Sequence, residues 1–128
     1  MRTYTKENNH ILVVGMNPGG YKTITKGDTL SRLGDWLESI NINRYSFMNC
    51  IDTPGKVKLE NVNYNKVVDA ARDYNKIIAL GNFVSEVLDV LVLDHFKLPH
   101  PSGLNRKIND KQYIKQELNK CRNYINER

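Results

Sequence analysis

The sequence has few cysteines and no long apolar run, and both absences restrict the class of protein. Cys50 and Cys121 are its only cysteines, too few and too far apart for a four-cysteine zinc or iron–sulfur site. The longest apolar runs, 11–14 and 87–93, fall far short of the ~20 residues that cross a bilayer. The first ten residues also lack the apolar stretch of a signal peptide. We therefore expect no membrane segment, no metal site and a cytoplasmic location.

The length and charge of the chain are those of one small globular domain with a basic end. The 128 residues are 40% hydrophobic and 26% charged, which predicts a single domain over 1–128 that buries a core without metals or disulfides. Residues 97–128 hold eight Lys or Arg and three Asp or Glu, so the net charge of +5 lies there. This basic segment either attracts a polyanion such as nucleic acid or forms a solvated helix face. We expect a monomer.

Short apolar runs alternate with helical stripes along the chain. This alternation predicts an α/β fold, a three-layer α/β/α sandwich with a central, mostly parallel four-stranded sheet. The expected helix caps are Asp28 or Thr29, Asn82 and Asn109. The predicted strands are 11–14, 45–48, 77–80 and 95–98, and the predicted helical stripes run from 30 to 40, 64 to 74, 83 to 91 and 114 to 125.

Polar residues follow the predicted strands, where parallel sheets bind their ligands. The segments after the four strands are 15–20, 49–50, 81–82 and 100–106. The first segment is rich in glycine but matches neither the dinucleotide nor the Walker pattern. A small-molecule enzyme that uses this loop for phosphate therefore has little support.

Three side chains in these segments are candidates for chemistry, and each has a plainer alternative. Asn17 either holds a water or ligand amide, or is a turn residue that bonds its own backbone. Asn49 offers the donors and acceptor that read a pyrimidine edge, or it ties down the following loop. His100, held between two prolines, suits a group that aims a hydrogen bond at one atom. His10 and His95 lack such surroundings, and we interpret them as ordinary structural residues.

Three short motifs follow the predicted strands: Gly15-Met-Asn-Pro-Gly19, Asn49-Cys50 and His100-Pro-Ser-Gly-Leu-Asn-Arg106. In the same order and at the same strand ends, they resemble the active-site motifs of the uracil-DNA glycosylase superfamily. Gly15-Met-Asn-Pro-Gly19 is similar to the single-strand-selective monofunctional branch. The run Pro101-Ser-Gly-Leu-Asn-Arg106 is similar to the mismatch-specific uracil/thymine branch, which has Asn where this chain has His100. Together with Asn49-Cys50, these motifs and the β/α order cover about residues 11–126.

The resemblance implies a role for each matching residue. Asn17 would position the attacking water, Asn49 would read the uracil edge, and His100 would stabilise the charge on the departing base. Leu104 would fill the gap left by the flipped nucleotide. The remaining residues of the motifs would contact the substrate (Gly15, Met16, Pro18 and Gly19) or the DNA (Ser102, Gly103, Asn105, Arg106 and Lys107).

The resemblance also implies an aromatic ring that stacks on the base near the end of the first loop. The spacing places Leu30 there, and the nearby Tyr21 is the alternative. The expected activity is that of a monofunctional glycosylase, and we expect no cofactor. A lyase mechanism is not expected, because no Lys stands in the motifs to form a Schiff base. Its partner would be DNA containing uracil or a related base, in the nucleoid or in an infected bacterial cytoplasm. The competing hypothesis is a DNA- or nucleotide-binding module on the same fold that does not cleave.

Overall fold

Four strands and four α-helices alternate along the part of the chain that the structure describes. The computed structural model describes residues 10–17, 24–101 and 109–127. The strands are β1 (Ile11–Gly15), β2 (Ser46–Asn49), β3 (Lys76–Leu80) and β4 (Phe96–Leu98), and the helices are α1 (Ile24–Ser39), α2 (Tyr64–Ala71), α3 (Gly81–Val90) and α4 (Lys111–Asn126), with a 3-10 turn at Leu59–Asn61.

The strands form one parallel sheet in the order β2-β1-β3-β4. Gly15 pairs with Asn49 across β1 and β2, and Leu80 pairs with Leu98 across β3 and β4. The chain therefore leaves β1 for one side of the sheet and later returns through β3 to the other side. This reversal makes a crevice between the carboxyl ends of β1 and β3, the place where ligands bind to open parallel sheets.

Each face of the sheet is covered by two helices, because the strands are apolar on both sides. On one face, Val13 packs in a cluster with residues of α1 and α4, such as Leu37 and Leu118. On the other face, Val14 packs with residues of α2 and α3, such as Val67. These two cores confirm the predicted α/β fold with a four-stranded parallel sheet between helices.

The helix caps were the least accurate predictions. α1 begins at Ile24, so Asp28 and Thr29 lie inside the helix and not at its cap. This prediction was wrong because residue types that favour caps are also tolerated inside helices. The side chain of Asp110, one residue after the predicted cap, caps α4 by accepting a hydrogen bond from Tyr113 N. α3 starts without a side-chain cap. Asn82 instead accepts a hydrogen bond from Lys97 Nζ at 3.0 Å.

Within the described ranges, no helix is long and apolar enough to cross a membrane.

Candidate functional site

Glycines stand at the ends of the two inner strands, where the crevice opens. Gly15 is the last residue of β1, and Gly81 directly follows β3. A glycine at such a place has no side chain to fill the crevice, and it lets neighbouring side chains approach its backbone closely. The outer strands supply those neighbours, since Asn49 ends β2 and His100 follows β4 by two residues.

The Asn49 side chain lies over Gly15. A Cβ added to Gly15 would lie 2.8 Å from Asn49 Oδ1 and 2.9 Å from Phe47 Cζ. Both distances are too short for any side chain at position 15 unless Asn49 and Phe47 move. Because position 15 is a glycine, the Asn49 amide and the Phe47 ring can lie directly over the end of β1.

His100 lies over Gly81 in the corresponding way on the other side. Gly81 has φ of +90°, which side-chain-bearing residues rarely adopt, and a Cβ added there would lie 3.3 Å from His100 Cβ. β2 and β4 are three strand spacings apart, or about 14 Å. Asn49 lies over Gly15 and His100 lies beside Gly81, so the two outer strands each place one polar side chain at the carboxyl end of an inner strand.

Burial favours the neutral form of the His100 imidazole. Burial lowers the pKa of His100 below its ordinary value of 6.5, because a charged ring loses more hydration than a neutral one on leaving water. The residue also lines a cavity of about 260 Å³ with Gly81, Lys97, Tyr113 and Glu117 among its walls. Neither Asn17 nor Asn49 lines that cavity, so the three candidate side chains share an edge of the sheet and not one enclosed pocket.

Asn17 is held by the loop that follows β2. Its Nδ2 donates to the carbonyl oxygens of Thr53 at 3.2 Å and Gly55 at 3.1 Å. A carbonyl only accepts, so these two bonds fix which end of the amide is nitrogen. The Oδ1 atom therefore points away from the loop as an acceptor. Both of these partners lie 36 or more positions away in sequence, so the two bonds are tertiary contacts and not those of a local turn.

The backbone on either side of this arrangement continues the pairing of β1 with β2. Cys50 N donates to Gly15 O at 2.9 Å, and Ile51 N donates to Met16 O at 2.8 Å. The Cys50 thiol contacts Met16 O at 3.5 Å, and burial raises the pKa of Cys50 to about 11. This thiol is therefore not a nucleophile at neutral pH. The Met16 side chain packs against the α2/α3 core.

Two apolar side chains, one on α1 and one on β2, are exposed. Leu30 is 41% exposed and Phe47 is 39% exposed. Phe47 shares a face of β2 with Asn49, and Leu30 lies one helical turn before Gly34, whose neighbour is the Tyr45 hydroxyl. Phe47 was missed in the sequence, although its position two residues before Asn49 on a strand already indicates a shared face.

Arg32 is a second residue that the sequence did not indicate. Its Nη1 donates to Pro101 O at 2.7 Å, which ties α1 to the segment that begins at His100. The two residues are far apart in sequence, so no local pattern could have paired them.

The other histidine near β4, His95, lies at the amino end of that strand, opposite His100. His95, just before β4, bonds Ser85 Oγ through Nε2 and Leu93 O through Nδ1, both at 2.8 Å. Its side chain is 8% exposed. These bonds confirm the interpretation of His95 as a structural residue.

Several predicted site residues lie outside the described residues. They are Pro18, Gly19 and Tyr21 of the first motif and Ser102, Gly103, Leu104, Asn105, Arg106 and Lys107 of the last. Their proposed contacts with substrate or DNA stay predictions.

Metal-binding residues and sequence relatives are two further sources of evidence about the kind of site. In the described part of the chain, no three His, Cys, Asp or Glu side chains come together to hold a metal ion. Comparison of the sequence with protein-family models and with curated proteins found no match.

Proposed function

We propose that the protein is a monofunctional DNA glycosylase that hydrolyses the N-glycosidic bond of uracil, or of a related damaged or modified base, and leaves an abasic site. The observation that carries this proposal is that Asn49 lies over Gly15 and His100 lies over Gly81, at the carboxyl ends of the two inner strands. Asn17 lies beside the same edge, at the end of β1. These are the three residues that the motif resemblance picks out.

The chemistry of glycosidic cleavage suits an amide next to the scissile bond. The bond breaks through an oxocarbenium-like state, so the attacking water needs positioning more than deprotonation. Asn17 Oδ1 is an oriented acceptor, because Nδ2 is committed to the carbonyls of Thr53 and Gly55. It would accept a hydrogen bond from the water and hold it against the sugar.

The departing base carries negative charge, and His100 would stabilise it. A neutral imidazole carries one N–H, and the burial that lowers the pKa of His100 favours that form. A donor aimed at developing charge is typically worth about 3 to 4 kcal/mol in the transition state.

Recognition of the base would fall to β2. The Asn49 amide carries both donors and an acceptor, which complement the edge of a pyrimidine. Phe47, on the same strand face and partly exposed, offers a ring on which a flat base can stack. The resemblance implies a stacking aromatic ring near the end of the first loop, where the spacing places Leu30. The Phe47 ring would supply that aromatic contact instead.

The test is base release from defined oligonucleotides. Wild type and Asn17→Ala are incubated with strands that carry one uracil unpaired, opposite G or opposite A, and alkali then cleaves at abasic sites. We expect cleavage with wild type on at least one substrate and almost none with Asn17→Ala, at equal DNA affinity. Binding without any alkali-labile site would instead support the module that recognises DNA without cleaving it.

A further inference from the structure

The orientation of Asn17 depends on a loop that is neither helix nor strand. This loop, here called the 52–55 loop, runs from Asp52 to Gly55. Its carbonyls at Thr53 and Gly55 hold Asn17 Nδ2. These carbonyls can fix the orientation of the Asn17 amide only if the backbone of the loop is itself fixed. The feature that fixes the 52–55 loop therefore also fixes the acceptor that Asn17 presents to a water.

The Asp52 carboxylate connects the 52–55 loop to the start of α2. One oxygen accepts from Lys66 Nζ at 2.6 Å, and the other accepts from Asn63 Nδ2 at 2.9 Å. Asn63 N also donates to Cys50 O at 2.9 Å. These bonds join the segment 50–52 to α2 at three points.

The α2 end of this connection is rigid. Asn63 caps the helix, since its Oδ1 accepts from Lys66 N at 3.2 Å. One turn further on, Val67 is fully buried in the α2/α3 core. The carboxylate of Asp52 is thus bonded to groups whose positions the fold determines.

Gly55 allows the loop to present its carbonyl. It has φ of +114°, a conformation that other residues rarely adopt, and an added Cβ would meet nothing within 4 Å. A substitution there strains the backbone of the loop without producing a clash.

We propose that Asp52 is a positioning residue for base release, which acts by fixing the 52–55 loop and through it the orientation of the Asn17 amide. This role rests on the proposed function. An ion pair as exposed as that of Asp52 and Lys66 adds little to stability. A small displacement of a positioned group, in contrast, lowers a rate steeply, about 100-fold for 1 Å. The role therefore predicts a change in rate with little change in stability.

The experiment compares Asp52→Ala with a matched control on α2, the helix to which Asp52 is bonded. Asp69→Ala also removes a carboxylate that pairs with a cation, Arg72 at 3.7 Å, but this pair lies away from the 52–55 loop. We expect Asp52→Ala to lower the single-turnover rate of base release roughly tenfold, at unchanged DNA affinity and with a thermal midpoint within a few degrees of wild type. Gly55→Ala should lower the rate in the same way, and Asp69→Ala should not.

Two further measurements separate positioning from a merely structural effect. In an Asn17→Ala background, Asp52→Ala should cause no further loss, because its effect passes through Asn17. By NMR, hydrogen exchange at the Asn17 side-chain amide should be faster in Asp52→Ala than in wild type, a result that does not depend on activity.

Each negative outcome has a distinct meaning. A wild-type rate in Asp52→Ala, a loss that adds fully to that of Asn17→Ala, or unchanged amide exchange overturns the positioning role and leaves the proposed function standing. Absence of base release from the wild-type protein overturns the proposed function and the role of Asp52 in it together.

Discussion

Replacing Gly15 with alanine tests whether the candidate site depends on the close approach of Asn49. The added Cβ would lie 2.8 Å from Asn49 Oδ1 and 2.9 Å from Phe47 Cζ, whereas ordinary contacts begin at 3.4 Å. Asn49 Oδ1 must therefore retreat by at least about 0.6 Å, and the Phe47 ring by nearly as much. Both are outer atoms of side chains, so the protein can relieve the contact without moving its backbone.

The size of the effect follows from the bonds that Asn49 would make to a base. A neutral hydrogen bond contributes about 0.5 to 1.5 kcal/mol, and the displaced amide would weaken two of them. A total of about 1 to 3 kcal/mol corresponds to a roughly 5-fold to 150-fold lower kcat/KM. Stability should change little, because alanine is not disfavoured in a strand relative to glycine.

The assay is base release from a uracil-containing strand, measured beside the thermal midpoint. Gly34→Ala is the matched control, since a Cβ there meets only the Tyr45 hydroxyl at 4.0 Å. That variant should keep its activity and gain slightly in helix stability. A wild-type kcat/KM in Gly15→Ala would refute the reasoning. So would a double variant in which Gly15→Ala lowers the kcat/KM of Asn49→Ala as much as it lowers that of wild type.

Four other predictions concern His100 and contact with DNA. His100→Ala should slow base release by roughly 100-fold to 1000-fold in single-turnover kinetics, and an unchanged rate with weaker DNA binding would make it a phosphate contact. Because burial lowers the pKa of His100 below 6.5, its neutral form stabilises the fold above that pH and this contribution is lost as the pH falls through the lowered pKa. The thermal midpoint of wild type relative to His100→Gln should therefore fall on acidification, and a constant difference would contradict this. Leu104→Ala should impair cleavage of duplex DNA far more than of single strands, because the flipped base leaves a gap only in a stack, and equal losses would point to packing. DNA binding should weaken linearly in log K against log salt, as expected of the basic segment 97–128, and a flat plot would make that segment only a solvated face.

The strands and the layers of the fold could be predicted because their signals are local. The run 11–14 is apolar at every position, and a strand buried on both faces needs that pattern. The stripe that includes Leu33 and Leu37 likewise requires a covered helix face, and both side chains are buried. Helix starts were less predictable, since Asp28 lies inside α1 and not at its cap.

The contacts of the candidate site were less predictable because they join distant parts of the chain. That Gly15 lies beneath Asn49 follows only from the strand order and register. The bonds from Asn17 to the 52–55 loop and from Arg32 to Pro101 join residues at least 36 positions apart. Motifs at strand ends indicated which residues to compare, but the partners that hold them became visible only in the folded chain.

The most direct test of the account is mass spectrometry of a single-stranded oligonucleotide with one uracil after incubation with the protein. The account predicts free uracil together with an abasic strand whose backbone is intact until alkali is added. It also predicts that both products disappear with Asn17→Ala. Recovery of the oligonucleotide with its uracil still attached, from a protein that binds it, would contradict the central claim that this chain is a glycosylase.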